Sequence, residues 1–250
     1  MKVLVIMPTY GRIPFLNRAL ASFLSQTYDD KELVIVNDDK NVEIKCEYPN
    51  VTCININKKI LLGQKLNIGV NLGFYELFLP TDDDDVMLPN RIENCVSIHK
   101  NNSNIELYWN KYSYTIYGNE FSLAGSGANT VSYTRECWLK YGGYLHNKNN
   151  GPDQEFRDKV KNKLFLDSEN LSDYVYNWGG INYHTSCSDD YSIEQIAYNQ
   201  LLELNLLNKK YYIEPDFFEY KKFIELKNMY DEKKEPIKIE HIEFAKIKIL

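Results

Sequence analysis

The sequence lacks any run near 18 consecutive apolar residues, so it predicts no membrane-spanning helix. It also lacks an excess of positive charge. Twenty-nine Lys and Arg stand against 35 Asp and Glu, a net charge of −6, which argues against a generic nucleic-acid binder. The five cysteines, Cys46, Cys53, Cys95, Cys137 and Cys187, form no C-x-x-C pair and are odd in number. They read as reduced thiols of a cytoplasmic protein rather than a disulfide framework or zinc site. The opening apolar stretch is too short for a signal peptide, and no cleavage site follows it. There are no internal repeats. What is present is ordinary globular composition: 44% hydrophobic and 26% charged residues over 250 positions. That length suffices to bury a core without metal or disulfide staples.

The first 90 residues alternate strand and helix signals. Lys2–Met7 is a continuous apolar run of the kind a doubly covered parallel strand carries. Pro14 then opens a helix whose Leu16, Leu20 and Leu24, with Phe15, Ala19 and Phe23, make one apolar stripe. The pattern further predicts strands at Leu33–Val36, Val51–Ile56 and Glu76–Leu79, and helices at Gln64–Tyr75 and from Pro89 to about Lys100. Strands alternating with helices imply a mostly parallel α/β sheet with helices on both faces. In such sheets ligands bind beyond the carboxyl ends of the strands. Three polar clusters fall at such ends: Pro8-Thr9-Tyr10, Asn37-Asp38-Asp39 and Thr81 through Asp85. From about 104 to 186 the pattern is less regular and richer in aromatics. After about 190 two more helices are predicted, at Ile193–Leu207 and Asp216–Met229, and a soft boundary is set there.

Asp82-Asp83-Asp84-Asp85 is the strongest single feature. Adjacent carboxylates repel and raise one another's pKa. Placed between Leu77-Phe78-Leu79 and Val86-Met87-Leu88-Pro89, the cluster suits a hard divalent cation with oxygen ligands, Mg²⁺ or Mn²⁺, that bridges to substrate phosphates. The alternative is a solvated acidic turn or a helix N-terminus. The spacing of an EF-hand is missing.

Together these segments resemble the family 2 glycosyltransferases, inverting enzymes of the GT-A fold. Pro8-Thr9-Tyr10-Gly11-Arg12 is similar to the family's opening PTYNR. Ser22-Phe23-Leu24-Ser25-Gln26-Thr27-Tyr28 is similar to the SLLxQTY that ends the first helix. Val34-Ile35-Val36-Asn37-Asp38-Asp39 matches IVVDDGS with Asp39 for Gly, and Gly63-Gln64-Lys65-Leu66-Asn67-Ile68-Gly69 matches GxKRNIG with Leu66 for Arg. The aspartate run followed by Pro89 matches the metal motif DxDDxxxP. The resemblance covers about residues 1–190, with 1–100 as nucleotide-binding half, 101–190 as acceptor-binding half, and 191–250 as a mainly helical extension.

The resemblance implies a metal-dependent enzyme that moves a sugar from a nucleotide-sugar, expected to be a UDP-sugar, to a hydroxyl of a glycan, lipid-linked or protein acceptor. It implies that Pro8, Thr9, Asp38, Lys65 and Asn67 line the nucleotide pocket, with Asp82 and Asp83 beside them. Asp84 is the foremost metal ligand, with Asp82, supported by Asp85 and by His184 at the position of a late metal-binding histidine. Asp153, after Tyr141-Gly142-Gly143-Tyr144 and in the place of the family's ED pair, is the expected general base, with Pro152 where Glu is usual and Glu155 in reserve. The departures at Asp39, Leu66 and Pro152 keep open a non-catalytic nucleotide-sugar-binding protein. A nucleotidyltransferase is a weaker alternative, since no Gly-rich basic loop follows the first strand.

Overall fold

The structure is a computed structural model that describes residues 1–125, 130–145, 151–166, 168–169, 172–178, 198–199 and 201–239. The chain runs β1 (Val3–Thr9), α1 (Ile13–Leu24), β2 (Lys31–Asn37), β3 (Val42–Lys45), β4 (Val51–Asn55), α2 (Leu62–Val70), β5 (Leu77–Pro80), β6 (Val86–Met87) and α3 (Arg91–Asn101). It continues through β7 (Leu107–Asn110), β8 (Tyr112–Tyr117), β9 (Glu120–Gly125), β10 (Val131–Thr134), α4 (Arg135–Tyr141), α5 (Pro152–Lys159), β11 (Lys163–Leu166) and β12 (Tyr174–Trp178). The last described elements are β13 (Lys209–Tyr212), α6 (Phe217–Lys233) and β14 (Ile237–Lys238).

The main sheet has seven strands in the order β11-β7-β10-β5-β1-β2-β4. β5, β1, β2 and β4 run parallel, and β10 is antiparallel to both its neighbours. Alternate residues of each strand face opposite layers. Val3, Val5 and Met7 of β1 pack with Leu33 and Ile35 of β2 against α1 and α3. Leu4, Ile6, Val34 and Val36 pack on the other face against Leu66 and Val70 of α2 and Phe156 of α5. The apolar stripe of α1 is buried as its spacing requires, with Ile13, Leu16, Leu20 and Phe23 inside.

A second sheet has the order β14-β9-β8-β12-β6, and β13 pairs in parallel with β3. Thus segments after residue 200 join strands from the first half of the chain: Lys209–Tyr212 lie beside Val42–Lys45, and Ile237 lies opposite Phe121. α6 covers a third core of Ala21, Val86, Leu88, Tyr114, Ile116 and Phe121 with its Tyr220 and Phe223. Of the predicted helix at 193–207, residues 198, 199 and 201–207 are described: 198–199 and 201–203 are helical, and the chain leaves the helix at 204. Among them, no helix is long and apolar enough to cross a membrane, and Cys46, Cys53, Cys95 and Cys137 are free thiols.

Candidate functional site

β5, β1 and β2 are neighbours in the sheet, so their carboxyl ends bring the three polar clusters together. Pairing of β1 with β5 stops at Ile6 opposite Pro80, while pairing with β2 continues to Thr9 opposite Asn37. Pro8 therefore sits where β1 has only one partner, which explains a proline in a central strand. Thr9 is left beside the loop that follows β5. Its Oγ1 donates to Asp83 Oδ2 at 2.5 Å.

Gly11 takes a positive φ of 62° and turns the chain back across the aspartate run. Arg12 lands on it. Its guanidinium donates to Asp83 Oδ1 and, through both terminal nitrogens, to Asp84 Oδ2 at 2.6 Å and Oδ1 at 3.3 Å. Arg12, Asp83 and Asp84 are all buried. Burial alone would lower the Arg12 pKa, but the charges of Asp83 and Asp84 outweigh it and raise it. A planar fork on two carboxylates is geometry that arginine supplies and lysine does not.

The other two aspartates live differently. Asp85 is buried and accepts from the backbone N–H of Asn177 at 2.9 Å and from the Tyr174 hydroxyl at 2.8 Å. Burial, then the charges of Asp84 and Asp82, push its carboxyl well above the usual range. It ties the loop to β12. Asp82 is half-buried, and burial followed by the charge of Asp84 pushes its carboxyl up to about 7. The charge of Asp153, in the first turn of α5, adds to that rise. Asp153 is half-buried, and burial raises its own pKa. Pro152 starts α5 after Gly151 at φ 67°, which fixes Asp153 in that first turn. Glu155 instead pairs with Lys159 on the same helix at 3.9 Å.

Asp38 is buried at the end of β2. Its Oδ1 accepts from Lys65 Nζ at 2.8 Å and its Oδ2 from the Ile60 N–H at 2.9 Å. Lys65 also donates to the Thr9 carbonyl at 3.2 Å, so one ammonium links β1, β2 and α2.

Two expected pocket residues are turned elsewhere. Asp83 has no exposed surface, and both its oxygens are taken by Thr9 and Arg12. Asn67 accepts from Trp138 Nε1 at 2.9 Å and the Tyr144 N–H at 3.0 Å, and donates to the Tyr144 carbonyl at 2.8 Å. It therefore holds the Gly142–Tyr144 segment. α2 can approach that segment only because residue 63 is glycine: a Cβ there would lie 2.2 Å from the Leu145 carbonyl oxygen. His184 lies outside the described residues.

The sequence pattern alone assigns Arg12 no role, although its place two residues after Tyr10, at the end of the first polar cluster, is a signal. Tyr174 gave none, since its partner lies about 90 residues earlier in the chain.

One carboxyl, that of Asp82, is placed to take part in binding a divalent cation held mainly by substrate, while both oxygens of Asp84 lie in the Arg12 fork. Among the described residues, no three His, Cys, Asp or Glu side chains form a group able to hold a metal unaided. Asp82, however, is a half-buried carboxyl whose raised pKa a cation would relieve, next to Asp84 at the same strand end. Mg²⁺-type sites commonly use one or two carboxylates plus phosphates and water.

Comparison with known proteins agrees with this architecture. The model of Glycosyl transferase family 2 matches residues 4–141, over half the chain, and the chain belongs to that family. Its fold is GT-A. It resembles TarS of S. aureus (residues 1–349, in complex with UDP-GlcNAc), with a TM-score of 0.60 at 14% identity, covering 81% of this chain and 67% of that one. It also resembles the mannosyltransferase PcManGT of Pyrobaculum calidifontis (in complex with GDP-Man and Mn²⁺), with a TM-score of 0.52 at 14% identity, covering 80% and 61%. In sequence, a glycosyltransferase of Rickettsia typhi is 32% identical over 99 residues, 38% of this chain and 31% of the relative. The E. coli UDP-Gal:alpha-D-GlcNAc-diphosphoundecaprenol beta-1,3-galactosyltransferase is 26% identical over 134 residues, 51% and 47% of the two chains. The matched stretch thus spans about a third to a half of the length of these curated relatives.

Proposed function

We propose that this protein is a divalent-metal-dependent, inverting glycosyltransferase that moves a sugar from a nucleotide-sugar, a UDP-sugar first, to an acceptor hydroxyl. The observation that carries the reading is the meeting of three polar strand ends around a half-buried Asp82, with Asp153 within electrostatic reach. Asp153 takes the proton from the acceptor hydroxyl. The oxygen attacks the anomeric carbon on the face opposite the diphosphate, the carbon–oxygen bond to the diphosphate breaks, and the nucleoside diphosphate leaves. Burial makes Asp153 a stronger base than a solvated aspartate. Pro8, Thr9, Asp38 and Lys65 bind the nucleoside end. Asp82 and Asp84, with His184, hold the cation, which when bound supplies Lewis-acid stabilisation of the leaving diphosphate.

The titles of the TarS complexes with UDP-GlcNAc and UDP, and the UDP-Gal donor named for the E. coli relative, support a uridine nucleotide. GDP-Man in the Pyrobaculum neighbour names the competing base. The E. coli relative's diphosphoundecaprenol substrate supports a lipid-linked acceptor over a glycan or protein one. The fork of Arg12 on Asp84 favours one rival reading, a protein that binds nucleotide-sugars without metal or turnover.

Calorimetry with UDP, GDP, dTDP and CDP, each with and without Mn²⁺, separates the two. Binding of one nucleotide that needs Mn²⁺ and is lost in Asp84→Ala is the expected result. Metal-independent binding that survives Asp84→Ala selects the rival, and no binding of any nucleotide overturns both.

A further inference from the structure

We infer that Arg18 is a positioning residue of the donor site, and that through it the C-terminal helix α6 sets the backbone of the aspartate run. Arg18 lies on α1 and has no exposed surface. One arm of its guanidinium, Nη1, donates to Glu219 Oε1 at 3.1 Å, and the other, Nη2, donates to the backbone carbonyl of Asp84 at 2.5 Å. The plane is held between two rings, with Phe15 at 5.4 Å and Phe223 of α6 at 4.9 Å. Arg18 thus joins the residue expected to ligate the metal to a helix more than 130 positions further along the chain.

A wholly buried guanidinium needs a counter-charge, because removing one partner of a buried pair leaves an uncompensated ion. Glu219 is that counter-charge and is itself 3% exposed. It is held rigidly: Asp216 caps α6 by accepting from the Glu219 N–H at 2.8 Å. The Asn17 side-chain and backbone oxygens accept from the N–H groups of Glu214 and Asp216 at 3.2 and 3.0 Å. Tyr220 reaches the Met87 carbonyl at 3.4 Å. On the opposite side, Arg12 holds the Asp84 carboxylate. Asp84 is therefore fixed by its side chain from one arginine and by its carbonyl from another, and only the second depends on α6. Residues 217–233 lie beyond the stretch matched by the family, 4–141, so the second hold lies within the matched stretch but takes its counter-charge, Glu219, from outside it.

For its binding readout the inference rests on the proposed function, and a second readout is independent of it. The first variant is the double substitution Arg18→Met with Glu219→Met, which replaces the ion pair by an apolar pair that the flanking rings can pack, a change that is commonly near neutral for stability. The second is Arg18→Lys, whose single ammonium keeps the charge but cannot span Glu219 and the Asp84 carbonyl. Two quantities are measured in the full chain: the Kd of Mn²⁺ in the presence of UDP, or of GDP if wild type binds that instead, and amide hydrogen exchange over residues 82–88 without ligand.

In whichever variant keeps the wild-type Tm, the expected result is Mn²⁺ affinity weakened about tenfold and exchange over 82–88 accelerated by about as much, while the main-sheet strands exchange unchanged. A variant that keeps Tm, affinity and exchange at 82–88 overturns the inference and leaves Arg18–Glu219 a stability staple. If wild type binds no nucleotide, the proposed function falls, and exchange over 82–88 still decides the role of Arg18.

Discussion

Each of the four adjacent aspartates has its own environment. Asp83 and Asp84 share the single positive charge of Arg12, Asp85 is held by Tyr174 and a backbone amide, and Asp82 alone is half-buried. The sequence showed the run but not this division, because the division depends on Arg12 and Tyr174 arriving from distant elements. His99 shows the same dependence. It carries no motif, yet it is buried on α3 with Nε2 3.1 Å from Ser132 Oγ and with Nδ1 buried and without a partner. Burial lowers its pKa from 6.5 to about 4. Below pH 6.5 the unfolded chain takes up a proton that the folded one refuses. The contribution of His99 to stability is therefore full above 6.5 and lost as pH falls towards 4, by up to about 3 kcal/mol. Because the raised carboxyls of Asp82 and Asp85 act with the opposite sign, the check is the difference between chains: denaturant midpoints from pH 7 to 4.5 should fall more steeply in wild type than in His99→Gln.

At the scale of elements, periodicity found most of the first half. The strands at Val3–Thr9, Lys31–Asn37, Val51–Asn55 and Leu77–Pro80 lie within a few residues of their expected bounds, as do α1 and α3. α2 ends at Val70, earlier than the expected Tyr75, and Gly73 lies in the turn that follows. β3 was not foreseen. Its four residues alternate correctly, but its partner is β13, too far along the chain for local pattern to reveal. The close seat of α2 was legible only as glycines in a motif. A Cβ at Gly69 would lie 2.6 Å from Ile6 Cγ2 in the middle of β1. Gly69→Ala should cost about 1–3 kcal/mol by overpacking. In urea titrations, combining it with Ile6→Ala should cost less than the sum of the two single changes, since the second removes the clash. Strict additivity would mean that the helix shifts freely on the sheet.

At the scale of the whole molecule, family membership was readable from ordered motifs, whereas the role of the last 50 residues was not. The charge mixture there resembles an exposed extension. The described part instead supplies Glu219 to Arg18, Tyr220 and Phe223 to the third core, and strands to two sheets. A chain ending at residue 213 would bare Val86, Leu88, Tyr114, Ile116 and Phe121, the floor beneath the aspartate loop. We expect it to bind a hydrophobic dye and to melt without a sharp transition, where the full chain melts cooperatively. A cooperative melt near the full-length Tm would show that α6 is dispensable to the fold.

The Arg18–Glu219 bridge also has a consequence in time. A nascent chain leaves the ribosome from its amino end, and domains begin to organise as they emerge. The first 110 residues carry β1, β2, β4 and β5 and both arginines that reach the aspartate loop. Glu219 is made roughly a hundred residues later. Until then Arg18 lacks the carboxylate of Glu219, and contacts of such long sequence separation form slowly. During synthesis the loop that carries the aspartates is thus assembled first and locked last, so a protein still attached to the ribosome has its sheet before its aspartate loop is fully held.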